Sequence, residues 1–149
     1  MTMALNTAVP YRLENLSTGN VIAQTPDFPR DSGLCAYGGG TRNNDQLWYF
    51  LGQNDYLRIM NLSWLGTVIY SDDARVAAYR AVGANPDSQA DQHWRLEASP
   101  DFPSGIVITS IKSGRSILDP HTRGQIDSLE ALPVVSRDSR FVWKPVPAI

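Results

Sequence analysis

The sequence predicts an all-β chain made of three copies of one four-stranded unit, and two landmarks carry that prediction. The first is a turn glycine. Tyr11-Arg12-Leu13-Glu14-Asn15-Leu16-Ser17-Thr18-Gly19-Asn20-Val21-Ile22 is matched by Leu57-Arg58-Ile59-Met60-Asn61-Leu62-Ser63-Trp64-Leu65-Gly66-Thr67-Val68-Ile69, with one residue more. It is matched again by Ile106-Val107-Ile108-Thr109-Ser110-Ile111-Lys112-Ser113-Gly114-Arg115-Ser116-Ile117. The glycines Gly19, Gly66 and Gly114 are thus 47 and 48 residues apart. The second landmark is a tryptophan: Trp48, Trp94 and Trp143 follow their glycines by 29, 28 and 29 residues. Two landmarks of different chemistry hold one register along 149 residues, a length that suits one domain with one core.

Each copy opens with a run that alternates apolar and polar residues, meets a Ser/Asn/Gly turn and resumes with β-branched residues, the pattern of a hairpin. These runs supply the first and second strands. Leu34-Cys35-Ala36-Tyr37, Val76-Ala77-Ala78-Tyr79 and Ser128-Leu129-Glu130-Ala131 are weaker third strands. The fourth strands are Gln46-Leu47-Trp48-Tyr49-Phe50, His93-Trp94-Arg95-Leu96 and Phe141-Val142-Trp143-Lys144-Pro145-Val146. Ten prolines and eleven glycines, mostly between these runs, supply the turns, and helical periodicity is nearly absent. The repeats span approximately residues 9–55, 56–104 and 105–149 of a single domain. No unit of four strands buries a core alone, but three around a threefold axis close a barrel and cap it with three hairpins. The predicted fold is therefore a β-trefoil with pseudo-threefold symmetry. Trp48, Trp94 and Trp143 are expected in its core, and Trp64, which has no counterpart in the other units, outside it.

Gln46-Leu47-Trp48 and Gln92-His93-Trp94 resemble the Gln-x-Trp motif of ricin-B-like trefoils, while Phe141 replaces the glutamine in the third unit. In lectins of that family an aspartate after the second strand accepts hydrogen bonds from sugar hydroxyls. The residues four past the turn glycines are Ala23, Tyr70 and Leu118, and only the third unit offers a nearby carboxylate, Asp119, one position late. Sugar hydroxyls are well solvated, so a shallow site needs strong or convergent bonds to offset their dehydration. Asp119 and His121 are the best-placed residues for a ricin-B-like carbohydrate site, and glycans are the partners this alternative implies.

Other classes find less support. Thirteen Lys plus Arg against fifteen Asp plus Glu give a net charge of -2, without the basic excess that nucleic acid or an anionic membrane attracts. Cys35, His93 and His121 are too few soft ligands for a structural zinc site, and no cofactor is expected. The carboxylates are scattered rather than paired, and nothing local supports Cys35 as a nucleophile, so no enzyme is expected. No basic region followed by an apolar run marks residues 1–10, no apolar stretch reaches membrane-spanning length, and with one cysteine the expected location is cytoplasmic. Asn15-Leu16-Ser17 and Asn61-Leu62-Ser63 match the glycosylation sequon, which matters only in a secretory compartment.

One connection has chemistry of its own. Between the second and third strands of the first unit the chain reads Thr25-Pro26-Asp27-Phe28-Pro29-Arg30-Asp31-Ser32-Gly33. Proline fixes its own φ and biases its predecessor toward extended backbone, the shape in which a serine protease reads substrate. Part of the ordering entropy is removed in advance, and Arg30 suits a specificity pocket with an aspartate at its base. Arg75 and Arg123, in the corresponding connections, have no preceding proline. Pro100-Asp101-Phe102-Pro103 repeats the bracket but is followed by Ser104 and reads as a stiff connector between units.

The pattern resembles the fungal trefoil inhibitors of serine proteases, the mycospin group. That resemblance implies inhibition of trypsin-like serine proteases through this loop, with Phe28, Pro29, Arg30 and Asp31 presented as a slowly cut substrate mimic and Arg30 in the specificity pocket.

Overall fold

The computed structural model describes residues 5–24, 35–37, 46–53, 55–63, 67–72, 75–80, 90–120 and 127–148. Among the described residues thirteen strands form one continuous sheet. The first unit holds β1 (Tyr11–Asn15), β2 (Val21–Ala23), β3 (Cys35–Tyr37) and β4 (Trp48–Gln53), and the second β5 (Tyr56–Asn61), β6 (Thr67–Asp72), β7 (Arg75–Arg80) and β8 (Trp94–Ala98). The third holds β9 (Ile106–Ser110), β10 (Ser116–Leu118), β11 (Asp127–Ser128), β12 (Glu130–Leu132) and β13 (Trp143–Pro147). Its expected third strand is split in two at Leu129, which is buried. Phe141, expected to open the last strand, instead ends the 3-10 turn Ser139–Phe141, and a similar turn, Ala90–Gln92, precedes β8.

Six strands close the barrel in the cycle β13, β1, β4, β5, β8, β9 and back to β13, each neighbouring pair antiparallel. The joints repeat with the threefold: Tyr11 faces Trp48, Leu57 faces Trp94 and Ile106 faces Trp143. The hairpins β2–β3, β6–β7 and β10–β12 form the cap, tied together by β3–β11 and β7–β12. Closure leaves the barrel without an unpaired edge.

The tryptophans lie in the core as expected, all three with no exposed surface. A buried indole N–H needs an acceptor. Trp48 donates to the Ile22 carbonyl at 2.9 Å, Trp94 to that of Ile69 at 2.9 Å and Trp143 to that of Ile117 at 3.0 Å. Each barrel tryptophan is thereby bound to the cap hairpin of its own unit. Gln46, Gln92 and Phe141 are all buried, so the third unit keeps the packing role of the motif while losing its amide.

The first and third turns also repeat. The Gly19 N–H donates to the Asn15 carbonyl at 2.8 Å and the Gly114 N–H to that of Ser110 at 2.9 Å, with φ of +75° and +72°. Glycine adopts that left-handed backbone without a Cβ penalty, which explains why it marks the repeat. Asn15 and Asn61 accept the N–H of Ser17 and Ser63 through Oδ1 at 3.0 and 2.8 Å, and both are buried. The two sequon asparagines are therefore turn-closing groups rather than exposed glycosylation acceptors.

Candidate functional site

A groove indents the surface beside the hairpin of β8 and β9. Residues 99–105 close that hairpin compactly: Ser99 N–H donates to the Gly105 carbonyl and Gly105 N–H to that of Phe102, both at 2.9 Å, while Phe102 N–H reaches Ser99 Oγ at 3.1 Å. A Cβ on Gly105 would stand 2.2 Å from Val142 Cγ1, so glycine lets this loop press against the start of β13.

Across from it runs the segment between β12 and β13. Val134 and Val135 are 53% and 56% exposed, two adjacent apolar side chains at the surface. Asp138 N–H donates to the Val135 carbonyl at 3.2 Å, closing a turn in which Arg137 has φ of +64°. Arg137 N–H donates to Asp101 Oδ2 at 3.0 Å, which joins the two loops. Asp138 caps the next 3-10 turn through Arg140 N–H and receives the Arg140 guanidinium on both oxygens, Nε at 3.0 Å and Nη2 at 2.7 Å. The side-chain bond from Arg140 holds the Asp138 carboxyl below the ordinary aspartate range, and the same bond raises Arg140.

The resulting groove has a volume of about 390 Å³, within the range of roughly 300–1,000 Å³ found for small-ligand sites. Pro100, Phe102, Val134 and Val135 line it with apolar surface; Arg95, Glu97, Asp101 and Arg137 line it with charge. Arg95 and Glu97 neutralise each other at 2.7 Å. Among the described residues the Asp101 and Arg137 side chains form no ion pair; Asp101 Oδ2 accepts the Arg137 N–H, which leaves its Oδ1 as an acceptor and the Arg137 guanidinium as a donor at one groove.

The sequence gives no sign of this groove: residues 100–103 read as a stiff connector between units, and nothing in the chain joins them to Arg137.

Asp119, expected to face a sugar, is instead fully buried. Its Oδ2 accepts from Thr18 Oγ1 at 2.7 Å and Asn20 Nδ2 at 2.9 Å. It is a joint between the third unit and the first turn rather than an exposed acceptor, because both faces of β10 are covered where it enters the cap. His121 lies outside the described residues, as do Phe28, Pro29, Arg30, Asp31, Trp64 and Arg123. Among the described residues no group of three or more His, Cys, Asp or Glu side chains is arranged to hold a metal ion.

No known family profile matches the sequence. A curated relative, the carbamoyl phosphate synthase large chain of Bifidobacterium animalis subsp. lactis, is 27% identical over 134 residues, 85% of this chain; the chain spans only 12% of that protein's length. At that identity and coverage the match carries no activity to this chain. Solved structures are far more informative about architecture. The BEL β-trefoil superposes with a TM-score of 0.76 at 16% identity, covering 98% of this chain and 97% of that one. The designed threefold-symmetric protein ThreeFoil gives 0.73 at 17% identity, covering 92% and 97%. SeviL bound to asialo-GM1 saccharide gives 0.70 at 15% identity, covering 95% and 98%. The chain is a β-trefoil. These identities establish the fold and nothing finer.

Proposed function

We propose that this chain is a non-catalytic carbohydrate-binding β-trefoil. The observation that carries the reading is the groove beside β8 and β9, where a carboxylate, a guanidinium and apolar surface converge, as recognition of a polyol with apolar C–H faces requires. The likeness over nearly its whole length to SeviL, a trefoil solved with asialo-GM1 saccharide, supports the same reading. A glycan array probed with the full chain tests it: retention on a defined subset of saccharides is expected, and no retention on any would overturn it.

A second reading is inhibition of trypsin-like serine proteases through Phe28, Pro29, Arg30 and Asp31. The specific observation in its favour is the proline bracket before Arg30, in the connection between β2, which ends at Ala23, and β3, which begins at Cys35. Titration of trypsin distinguishes the readings. An inhibitor would lose at least about a hundredfold in affinity on Arg30→Ala, whereas a carbohydrate binder leaves trypsin unaffected.

A further inference from the structure

The turn at Arg137 departs from the rule followed by the turns of the repeat. Gly19 and Gly114 occupy left-handed backbone, as the lack of a Cβ permits. Arg137 occupies it at φ of +64° with a long side chain, a conformation disfavoured for any residue other than glycine, and no other described non-glycine residue has positive φ. The turn itself does not need arginine. Its bonds run from the Asp138 N–H to the Val135 carbonyl and from the Arg137 N–H to Asp101, so backbone supplies the donor in both. A glycine would make the same bonds with less strain. Such outliers concentrate where a side chain is held for recognition.

The charges around the groove indicate which ligand it suits. Arg95, Arg137 and Arg140 balance Glu97, Asp101 and Asp138, and two of these three pairs are closed internally by Arg95–Glu97 and Arg140–Asp138. What remains is one acceptor and one donor, Asp101 and Arg137, with zero net charge. Asp101 can accept from one hydroxyl while Arg137 donates to its neighbour, and Val134, Val135 and Phe102 can cover the apolar face of a ring.

We infer that this groove is a subsite for a neutral saccharide of one or two rings, held by Asp101 and Arg137 against Val134 and Val135. This rests on the carbohydrate-binding reading and adds the location and charge class of the ligand. The site is distinct from the end of the second strand, where Asp119 is buried.

The test is titration of the ¹⁵N-labelled full chain with neutral methyl hexopyranosides and lactose, with methyl glucuronide and an acidic peptide as charged controls. Saturable shifts confined to residues 95–102, 107–116 and 134–142, which line the groove, are expected, with the neutral sugars binding tighter than the charged probes. Arg137→Gly and Asp101→Asn should each weaken binding about tenfold or more, and Arg137→Gly should do so with an unchanged or higher Tm. A lower Tm with unaltered affinity would show that Arg137 serves only the fold. Saccharide shifts elsewhere, insensitive to both variants, would overturn the subsite while leaving the carbohydrate reading standing. Tighter binding of glucuronide or peptide would overturn the assignment of a neutral ligand. No binding of any sugar, in solution or on the array, would overturn both.

Discussion

Two turns in the third unit solve one backbone problem in opposite ways. The turn at Gly114 closes the hairpin of β9 and β10 with φ of +72°, and the turn at Arg137 links β12 to the last barrel strand with φ of +64°. Glycine at the first gives the conformation that costs least. Arginine at the second adopts the same region with a Cβ and places a guanidinium-bearing residue in the groove lining. The frame repeats its tryptophans with their carbonyl acceptors in all three units and its left-handed glycine at Gly19 and Gly114, whereas Arg137 is the one non-glycine residue with positive φ among the described residues.

The frame breaks hardest at its tryptophans. Trp48→Ala, Trp94→Ala and Trp143→Ala should each cost about 3–5 kcal/mol in chemical denaturation, since each removes a fully buried ring and leaves a core cavity. The three values should agree within about 1 kcal/mol if the units are equivalent. Next in size is Asp119→Ala, which strips the acceptor from the buried Thr18 hydroxyl and Asn20 amide and should cost about 2–3 kcal/mol. Binding of saccharide in the groove should be unaltered by it, as isothermal titration of the surviving folded protein would show.

At the groove margin the effects are small. Asp138→Asn should cost about 0.5 kcal/mol near neutral pH, because the bond to Arg140 lies near the surface and is screened. The sign follows from the carboxyl being held below its ordinary range. The contribution is present at neutral pH and lost as the pH falls below about 4, so parent and variant denaturation curves should converge there. The raised Arg140 has no counterpart loss in the accessible range, since it stays protonated throughout.

The fold was readable because the frame repeats it three times in the chain. Glycine marks a left-handed turn and tryptophan a core position, and both demands are local enough to leave a residue type behind. The splitting of β11 and β12 around Leu129 was not readable, since it depends on which neighbour each backbone group meets. Asp119 misled for a related reason. Counting from Gly114 places it just past β10, but its side chain is held by Thr18 and Asn20, about a hundred residues earlier. The groove left still less in the sequence. Its walls come from residues 95–102, 107–116 and 134–142, and nothing about Arg137 as a residue type announces a positive φ. The Pro-Asp-Phe-Pro run at residues 100–103 was the one visible trace, and it carries Asp101.

The contrast between the two turns can be measured directly by equilibrium denaturation of Gly114→Ala beside Arg137→Gly. A Cβ at position 114 meets nothing within 4 Å, so only backbone strain opposes it, and Gly114→Ala should lower stability by about 1 kcal/mol. Arg137→Gly keeps both backbone bonds of its turn and relieves strain, offset by the greater freedom of glycine in the unfolded chain. It should leave stability unchanged or raise it by up to about 1 kcal/mol. If Arg137→Gly destabilises the chain as much as Gly114→Ala does, arginine at position 137 belongs to the frame, and the separation of frame from groove is wrong.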